Sequence, residues 1–313
     1  MHVGIAGEVR CVVTKADGTV KTDTGFQKNL ILNQGLDFFG GSYGSRINNI
    51  CAIGSGNSTP AITQTKLDAY ITQATGTGTT SDYSYEDKGD NLYRMWEQKK
   101  YRFTGLDNVN ISEVGLVSTG SASSNYYLTT RALIKDNLGF PTTISIKTGE
   151  ILDIYYKIHK VISTLDTEYV INMLDGNGGS VPYNVIVRPA RVGTSSWDVS
   201  RSANLNPGNF LASAATTADL TAITTAPSAP TIAGNTYYNR SYVKGSHKLV
   251  VDLRYDLDTC NTGIRTLVGY SSYFYDYQIR YGAVSDDSMI PKSNEHTLVI
   301  PIEFSWGRYE GEL

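Results

Sequence analysis

The sequence predicts an all-β fold of β-sandwich-like domains, with two short helices and long loops. Apolar residues recur at every second position over long stretches, as they do in strands that bury one face. The composition agrees, because only 18% of the 313 residues are charged and 22 Tyr far outnumber the 8 Phe and 3 Trp. Tyr favours pleated, half-buried surfaces. These observations argue against a helical bundle and against a disordered chain.

Three segments show the strongest strand pattern. They are Ile151–Ile162, Leu249–Asp258 and Leu298–Trp306, in which apolar and polar residues alternate. In the last segment Pro301 has no backbone N–H to donate to a neighbouring strand. Its position therefore predicts a sheet edge or a bulge.

Weaker alternation predicts ten further strands, separated by turn signals such as Ala16-Asp17-Gly18. They are Glu8–Thr14, Thr19–Thr22, Ile47–Ile53, Leu92–Phe103, Ile111–Val117, Tyr126–Lys135, Thr142–Lys147, Tyr169–Met173, Tyr183–Val187 and Tyr273–Tyr281. Helical spacing occurs only at Asn33–Phe39 and at Thr63–Ile71, where Thr63 is a candidate N-cap.

The length suits two domains of roughly 150 residues each. We place the boundary after Ile162, which gives an N-terminal β-sandwich domain over 1–163 and a C-terminal β domain over 164–313. Two segments, Ala74–Asp90 and Ser202–Asn235, are rich in small and polar residues and are predicted to be loops. The second has few large apolar residues, so we expect an arm or long loop that is ordered by a neighbouring subunit, or a linker between strands.

Charge and cysteine content exclude several classes of protein. The formal net charge is −3, which does not suit a polybasic nucleic-acid binder. No apolar run approaches the roughly 18 residues of a membrane helix, and no signal peptide is expected at the N-terminus. Cys11, Cys51 and Cys260 lie far apart, so we expect buried free thiols, although a pair between two of them remains open.

The sequence offers little for chemistry. His2, His159, His247 and His296 lack the spacing of metal ligands, and neither a nucleophile elbow nor a phosphate-binding loop occurs. Carboxylates form two clusters, one of Asp82, Glu86, Asp87 and Asp90 and one of Asp286 and Asp287. Both lie in polar sequence, where we expect them to stay ionised and solvated. We therefore expect no catalytic residue, no cofactor and no metal.

Tyrosines supply the candidate binding residues. Tyr273, Tyr275, Tyr277 and Tyr281 fall on one face of a predicted strand, which indicates cross-strand packing and, beyond it, a subunit interface. Phe210 and Leu211 of the predicted arm are expected to join that interface. A second set, Tyr83, Tyr85, Tyr126 and Tyr127, is a candidate patch for stacking on glycan.

Several short motifs, taken together, resemble a known group of proteins. They are Phe26–Asp37, Cys51–Ala61, Ser112–Leu116, Thr130–Asp136, Pro141–Ile144, Gly149–Tyr156, Ile290–Lys292 and Ser305–Arg308. In these motifs the chain resembles structural proteins of tailed bacteriophages, described as tail, fibre-associated or neck proteins. The resemblance covers roughly residues 8–160 and 273–308. Its motifs are turns and strands, so it assigns no functional residue.

The resemblance implies a virion component that assembles in the cytoplasm of the infected bacterium. The expected role is a neck/collar or tail protein that forms an oligomeric ring or trimer and anchors fibres or stabilises a junction. Its partners would then be further copies of itself and other virion proteins, with neither nucleic acid nor membrane among them. Two alternatives remain open: a host-glycan-binding module of the tail and a capsid decoration protein. An enzyme that degrades polysaccharide would need paired buried carboxylates, which the sequence does not place.

Overall fold

The computed structural model describes residues 1–40, 47–76, 82–119, 126–193, 211–227, 235–239, 241–270 and 275–313. These residues form 21 strands and one helix, which confirms the predicted all-β class. The strands are β1 His2–Thr14, β2 Val20–Asp23, β3 Gln27–Ile31, β4 Ile50–Gly54, β5 Tyr70–Thr75, β6 Asp82–Gly89, β7 Leu92–Phe103, β8 Val109–Ile111, β9 Glu113–Thr119, β10 Tyr126–Leu128, β11 Thr130–Leu133, β12 Ile144–Ile146, β13 Ile151–Ser163, β14 Thr167–Leu174, β15 Ser180–Pro189, β16 Leu211–Thr216, β17 Asn235–Asn239, β18 Lys248–Tyr255, β19 Thr266–Tyr270, β20 Tyr277–Ala283 and β21 Leu298–Arg308; helix α1 spans Asn33–Gly40, between β3 and β4.

Strand β1 organises the larger sheet, which has 14 strands. Along one edge, β1 pairs antiparallel with β13 from Gly4 to Thr14. Its other edge is shared by three strands: β21 runs parallel to it at residues 2–5, β3 pairs at residues 7–9 and β2 at residues 12–14. Both edges of β1 are therefore covered, by the two strands that follow it and by two from distant parts of the chain.

The larger sheet extends from β1 in three directions. Beyond β13 lie β7 and β6; beyond β21 lie β18 and β17; and beyond β3 lie β11, β9, β4 and β5, with β10 also on β9. A second sheet has the order β14-β15-β20-β19-β16, and β8 and β12 form a separate pair. The predicted boundary at residue 163 falls between β13 and β14, and strands that follow it occur in both sheets.

The three strongest strand predictions are confirmed. In β13 the residues Leu152, Ile154, Tyr156 and Ile158 are buried, as the alternation predicted. Strand β18 ends at Tyr255, three residues before the predicted end. Pro301 of β21 lies opposite Asp252 of β18, before β21 reaches β1, so the strand is locally an edge at the proline as predicted.

Aromatic side chains join the two sheets and hold the helix. Tyr277 of β20 packs edge-on against Phe304 of β21, with ring centroids 5.7 Å apart. Two residues further on, the Trp306 indole N–H donates to the carbonyl of Leu36 in α1 at 2.8 Å. Strand β21 therefore contacts β1, the second sheet and the helix at once.

The predicted helix at Thr63–Ile71 is wrong. Residues 61–69 form turns, and β5 begins at Tyr70. The backbone N–H groups of Asp68 and Ala69 donate to the Glu113 carboxylate at 3.1 and 2.8 Å instead of to helical carbonyls. A long-range acceptor has therefore overridden the local helical spacing.

Two predicted loops contain strands. The segment 74–90 includes the end of β5 and all of β6, which pairs with β7 from Asp82 to Gly89. The predicted arm, 202–235, includes β16, which pairs with β19. Residues 202–210 and 228–234 of the arm lie outside the described part of the chain.

Candidate functional site

The most enclosed charged group of the described residues is an ion pair between two strands of the larger sheet. Arg131 of β11 and Glu113 of β9 both have side chains with no solvent exposure, and the Arg131 Nε–H donates to Glu113 Oε2 at 2.9 Å. Arg131 Nη2 pairs with Asp68 at 2.7 Å, and Nη1 donates to the side chain of Gln64 at 2.8 Å and to the carbonyl of Ser58 at 3.1 Å. We call these residues the Arg131 network.

The Glu113 carboxylate fixes the loop over 55–69. Besides Arg131, it accepts hydrogen bonds from the backbone N–H of Gly56 at 3.0 Å and from those of Asp68 and Ala69. A Cβ atom at Gly56 would lie 2.5 Å from Glu113 Oε1, so only glycine allows this close approach. The buried Glu113 carboxylate therefore fixes the backbone of the loop, while Asn57, Ser58 and Thr59 of the loop are exposed.

Three of the motifs that carry the resemblance meet in the Arg131 network. Gly56 and Ser58 belong to Cys51–Ala61, Glu113 to Ser112–Leu116 and Arg131 to Thr130–Asp136. Hydrogen bonds from Ser58 lower the pKa of Asp68, and the Arg131 charge lowers it further. The charged groups of the network are thus paired with one another or bonded to backbone N–H groups.

A second feature is a partly exposed surface on β1, β13 and β7, together with Phe26, which directly precedes β3. Phe26, Trp96 and Tyr155 supply its rings, and Arg10, Arg94, Lys100 and Lys157 supply its cations; we call these seven residues the aromatic–cationic face. The Lys157 ammonium lies 4.0 Å from the centre of the Phe26 ring and 5.8 Å from that of Trp96. Arg10 and Lys100 lie 5.7 and 5.5 Å from the Tyr155 ring. The geometry is that of cation–π contacts across neighbouring strands.

Acidic side chains border the aromatic–cationic face. Arg10 donates to Asp23 at 2.8 Å, and Asp153 receives both Lys100 at 2.8 Å and Arg102 at 2.7 Å. Burial alone would raise the pKa of Asp153, but the hydrogen bonds from Arg102 and Lys100 bring it below its ordinary value. The face therefore carries both signs of charge around its exposed rings, as suits a polar ligand with apolar ring faces.

The third feature is β14, which ends the second sheet. Tyr169, Val170 and Leu174 in this strand are 46, 58 and 82% exposed, and Leu165 just before it is 57% exposed. Exposed apolar residues therefore occur at both odd and even positions of the strand. Such an edge is typical of a surface that pairs with another chain.

The predicted tyrosine interface needs correction. Tyr275, Tyr277 and Tyr281 are only 8, 4 and 2% exposed and pack in the core of this chain. Burial raises the pKa of all three phenols. Because their rings are already covered, they offer no surface to a second subunit, and the simpler interpretation of cross-strand packing holds. Tyr273 and Phe210 lie outside the described residues, as does the side chain of Leu211.

The predicted glycan patch is not assembled by strand pairing. Tyr85 of β6 is 39% exposed and stacks on Tyr93, with ring centroids 6.0 Å apart. Tyr127 of β10 is partly buried and packs at a tilt on Phe38. Strand β6 pairs with β7 and β10 pairs with β9, so the two tyrosines lie on separate branches of the sheet. The side chains of Tyr83 and Tyr126 lie outside the described part.

The acidic clusters of the sequence are engaged in local contacts. Glu86 pairs with Arg94 at 2.5 Å, the carboxylate of Asp87 accepts from the Gly89 N–H at 2.8 Å, and Asp287 pairs with Arg280 at 2.5 Å.

Cys11, Cys51 and Cys260 are buried free thiols, as predicted. Across the residues that the structure describes, no group of three or more His, Cys, Asp or Glu side chains is arranged to hold a metal ion. Within the same ranges no helix has the length and apolar character needed to cross a membrane.

Comparisons of the chain with protein-family models, with curated proteins and with solved structures found no match.

The sequence analysis did not predict the two exposed surfaces, the aromatic–cationic face and the β14 edge. The signal for β14 was the unbroken apolar run Tyr169-Val170-Ile171, and that for the aromatic–cationic face was the pair Tyr155 and Lys157 at alternate positions.

Proposed function

We propose that this chain is a structural subunit of a tailed-bacteriophage virion, located at the neck/collar or tail. There it forms a homo-oligomer and anchors fibres or stabilises a junction. The observation that carries the proposal is the Arg131 network. In it, polar groups from three of the motifs that resemble phage structural proteins form hydrogen bonds with one another.

The network suits a protein whose function is its shape. A buried ion pair adds little net stability but strongly penalises arrangements in which one charge loses its partner. Here it selects one conformation of the loop 55–69, whose tip is exposed at Asn57, Ser58 and Thr59. A rigid exposed loop is a suitable contact for a neighbouring subunit, because little conformational entropy is lost when it binds.

The test of this role is to find the chain in assembled particles. We expect mass spectrometry of purified virions to detect it in a fixed ratio to the major proteins, and electron cryomicroscopy to locate it at the neck or tail. Density on the capsid surface would favour the decoration-protein alternative. Absence of the chain from purified particles would overturn the proposal.

A second candidate function, recognition of host glycan, is favoured by the aromatic–cationic face. Partly exposed rings of Trp96, Phe26 and Tyr155 can stack on sugar rings, while the surrounding charged groups can hydrogen-bond to hydroxyl or carboxylate groups. We expect Trp96→Ala to abolish adsorption to host cells while leaving particle assembly intact. Phe140→Ala serves as the control, since it removes a ring that is 65% exposed and lies outside the face. Equal adsorption by the Trp96→Ala particles would exclude this candidate.

A further inference from the structure

We propose that β14 pairs antiparallel with β14 of a second copy of this chain, about a two-fold axis through Asn172. The pairing would join two five-stranded sheets into one continuous sheet. The inference rests on the proposed function, because it names one self-contact of a homo-oligomeric structural subunit. A two-fold contact closes a dimer, so a ring of subunits would use it together with a second, different contact.

Strand β14 has a regular open edge. Its eight residues pair with β15 without any register shift, and within the described ranges no strand pairs with its other side. By contrast, β5, β6 and β16, which also end sheets or branches, each carry a register shift in their pairing. Irregularities of that kind protect edges from further pairing. Strands β17 and β10 also end in regular pairing, but they pair over only five and three residues, against eight for β14.

The composition of β14 also lacks the usual edge protection. The strand contains no Lys, Arg or Pro, and Glu168 is its single charged residue. Val170 and Leu174 stand on the outer face, while Ile171 and Met173 pack partly against the core of this chain. An edge with exposed aliphatic residues and unprotected backbone is suited to adding a strand.

Geometry restricts the registers that two copies can adopt. A two-fold axis perpendicular to the sheet keeps outer residues on the outer face, so each residue must meet one that points the same way. With the axis at Asn172, Val170 faces Leu174 of the partner subunit and Ile171 faces Met173 of the partner subunit. The two Asn172 amides then face each other, and each can donate to the carbonyl oxygen of the other.

Charge disfavours the two registers whose axes lie further towards the N-terminus. An axis at Ile171 would place Glu168 opposite the exposed Leu174, and an axis at Val170 would place Asp166 there, whose carboxylate pairs with Arg188 at 2.6 Å. An axis at Asn172 keeps both carboxylates away from Leu174. It also leaves the two Glu168 side chains eight residues apart along the paired strands, about 27 Å at roughly 3.4 Å per residue.

Disulfide cross-linking of single-cysteine variants tests the register directly. We expect Asn172→Cys to form a covalent dimer under mild oxidation, because the two residues face each other at Cα distances that a disulfide spans. The matched control is Asn184→Cys, on the outer face of β15 opposite Val170, which should stay monomeric. The three native cysteines are buried and give little background.

Self-association in solution supplies the second readout. Val170→Lys should raise the dimer dissociation constant by about a hundredfold, because each half of the symmetric pair would place a charged side chain against Leu174 of the partner subunit; Val170→Thr should keep most of the affinity. Sedimentation velocity measures both, with circular dichroism to confirm folding. A monomeric wild-type chain, or equal cross-linking of Asn172→Cys and Asn184→Cys, would overturn the inference.

The two proposals fail separately. If the chain is found in virions but Asn172→Cys does not cross-link, the β14 pairing is wrong and the structural role stands. If the chain dimerises through β14 but is absent from virions, the pairing stands and the structural role is wrong.

Discussion

Arg131 is a fully buried arginine that bonds to four residues of the loop 55–69 and of β9. Its side chain has no exposure, yet it bonds to Glu113, Asp68, Gln64 and Ser58. Taking two charges out of water costs several kcal/mol per ion, and the ion pair recovers this cost only while every partner is in place. The network therefore specifies one local conformation, in which every partner is in place, and adds little to the net free energy of folding.

Replacing Arg131 should consequently be costly. We expect Arg131→Gln to lower the free energy of unfolding by about 3–5 kcal/mol, because Glu113 would be left buried without its cation. Urea unfolding followed by circular dichroism measures the change. Arg254→Gln is the matched control, since Arg254 pairs with Asp256 at the surface and such pairs contribute about 0–1 kcal/mol. Similar losses in the two variants would contradict the prediction.

His159 should make stability depend on pH. Burial lowers the pKa of His159 below its ordinary value of 6.5, and the hydrogen bond with Glu8 at 3.0 Å only partly opposes this. Below pH 6.5 the unfolded chain therefore binds a proton at this site more readily than the folded chain, and stability falls as the pH drops. We expect His159→Gln to lose less stability than the wild type between about pH 7 and pH 5.

The measurement for His159 is urea unfolding at a series of pH values. Glu8 contributes at lower pH, because the hydrogen bond from His159 lowers its pKa below the ordinary value of 4.5, and the stability this provides is lost as pH falls through the lowered pKa. His296→Gln, at an exposed position, should retain the wild-type dependence. Parallel curves for wild type and His159→Gln would refute the assignment.

At the scale of single elements, the sequence predicts those whose conformation is set by a local pattern and misses those that are held by contacts with distant residues. Strands β13, β18 and β21 were predictable because one buried face imposes a period of two on the sequence. Strand β6 was not, since its residues Asp82–Gly89 are mostly polar and it is held by pairing with β7. The false helix at 63–71 was predicted from local spacing, while its conformation is set by Glu113.

The candidate site was predictable only in part, for a related reason. The motifs around Ser58, Glu113 and Arg131 were recognisable in the sequence, but Ser58 and Arg131 are 73 residues apart and Glu113 and Arg131 are 18 apart. Their meeting is a property of strand order, which periodicity does not encode. The tyrosines of β20 were correctly placed on a strand, but whether a face is covered by the same chain or by another depends on the whole fold.

The pairing of β19 with β20 leads to a prediction about one glycine. Gly269 lies opposite Tyr277, and a Cβ atom at Gly269 would overlap the tyrosine ring. We expect Gly269→Ala to destabilise the fold by about 1–3 kcal/mol, because the buried ring would be forced from its rotamer. Thermal unfolding measures the loss.

Two further variants make the glycine experiment specific. Gly307→Ala places a methyl group at an ordinary 3.5 Å from the nearest atom of His2, so its effect should stay within about 0.5 kcal/mol. In a Tyr277→Val background, Gly269→Ala should cost clearly less than in the wild type, as a double-mutant cycle would report. An unchanged cost in that background would rule out the ring overlap as the cause.

At the scale of the whole molecule, the C-terminal strand completes the N-terminal part. Strand β21 pairs with residues 2–5 of β1, and its Trp306 and Arg308 donate to the carbonyls of Leu36 and Ile31 at 2.8 and 2.5 Å. The division into 1–163 and 164–313 cuts through these contacts. The two predicted domains share one buried apolar cluster.

We therefore expect the fragment 1–163 not to fold cooperatively by itself. Part of the edge of β1 and the packing of α1 would be exposed, so circular dichroism in increasing urea should show a shallow, non-cooperative transition. The full chain should show one steep transition under the same conditions. A fragment that unfolds as steeply as the full chain would establish 1–163 as an independent domain.

The parallel pairing of β1 with β21 also cannot form until almost all of this chain has been synthesised. Ser305 follows Met1 by 304 residues, and a ribosome adding roughly 5–20 residues per second needs about 15–60 s to cover that distance. Throughout this interval residues 2–5 of β1 lack their partner strand. Premature termination before β21 would release a chain with this part of the edge unpaired, so we expect such truncated chains to aggregate more readily than chains that include β21.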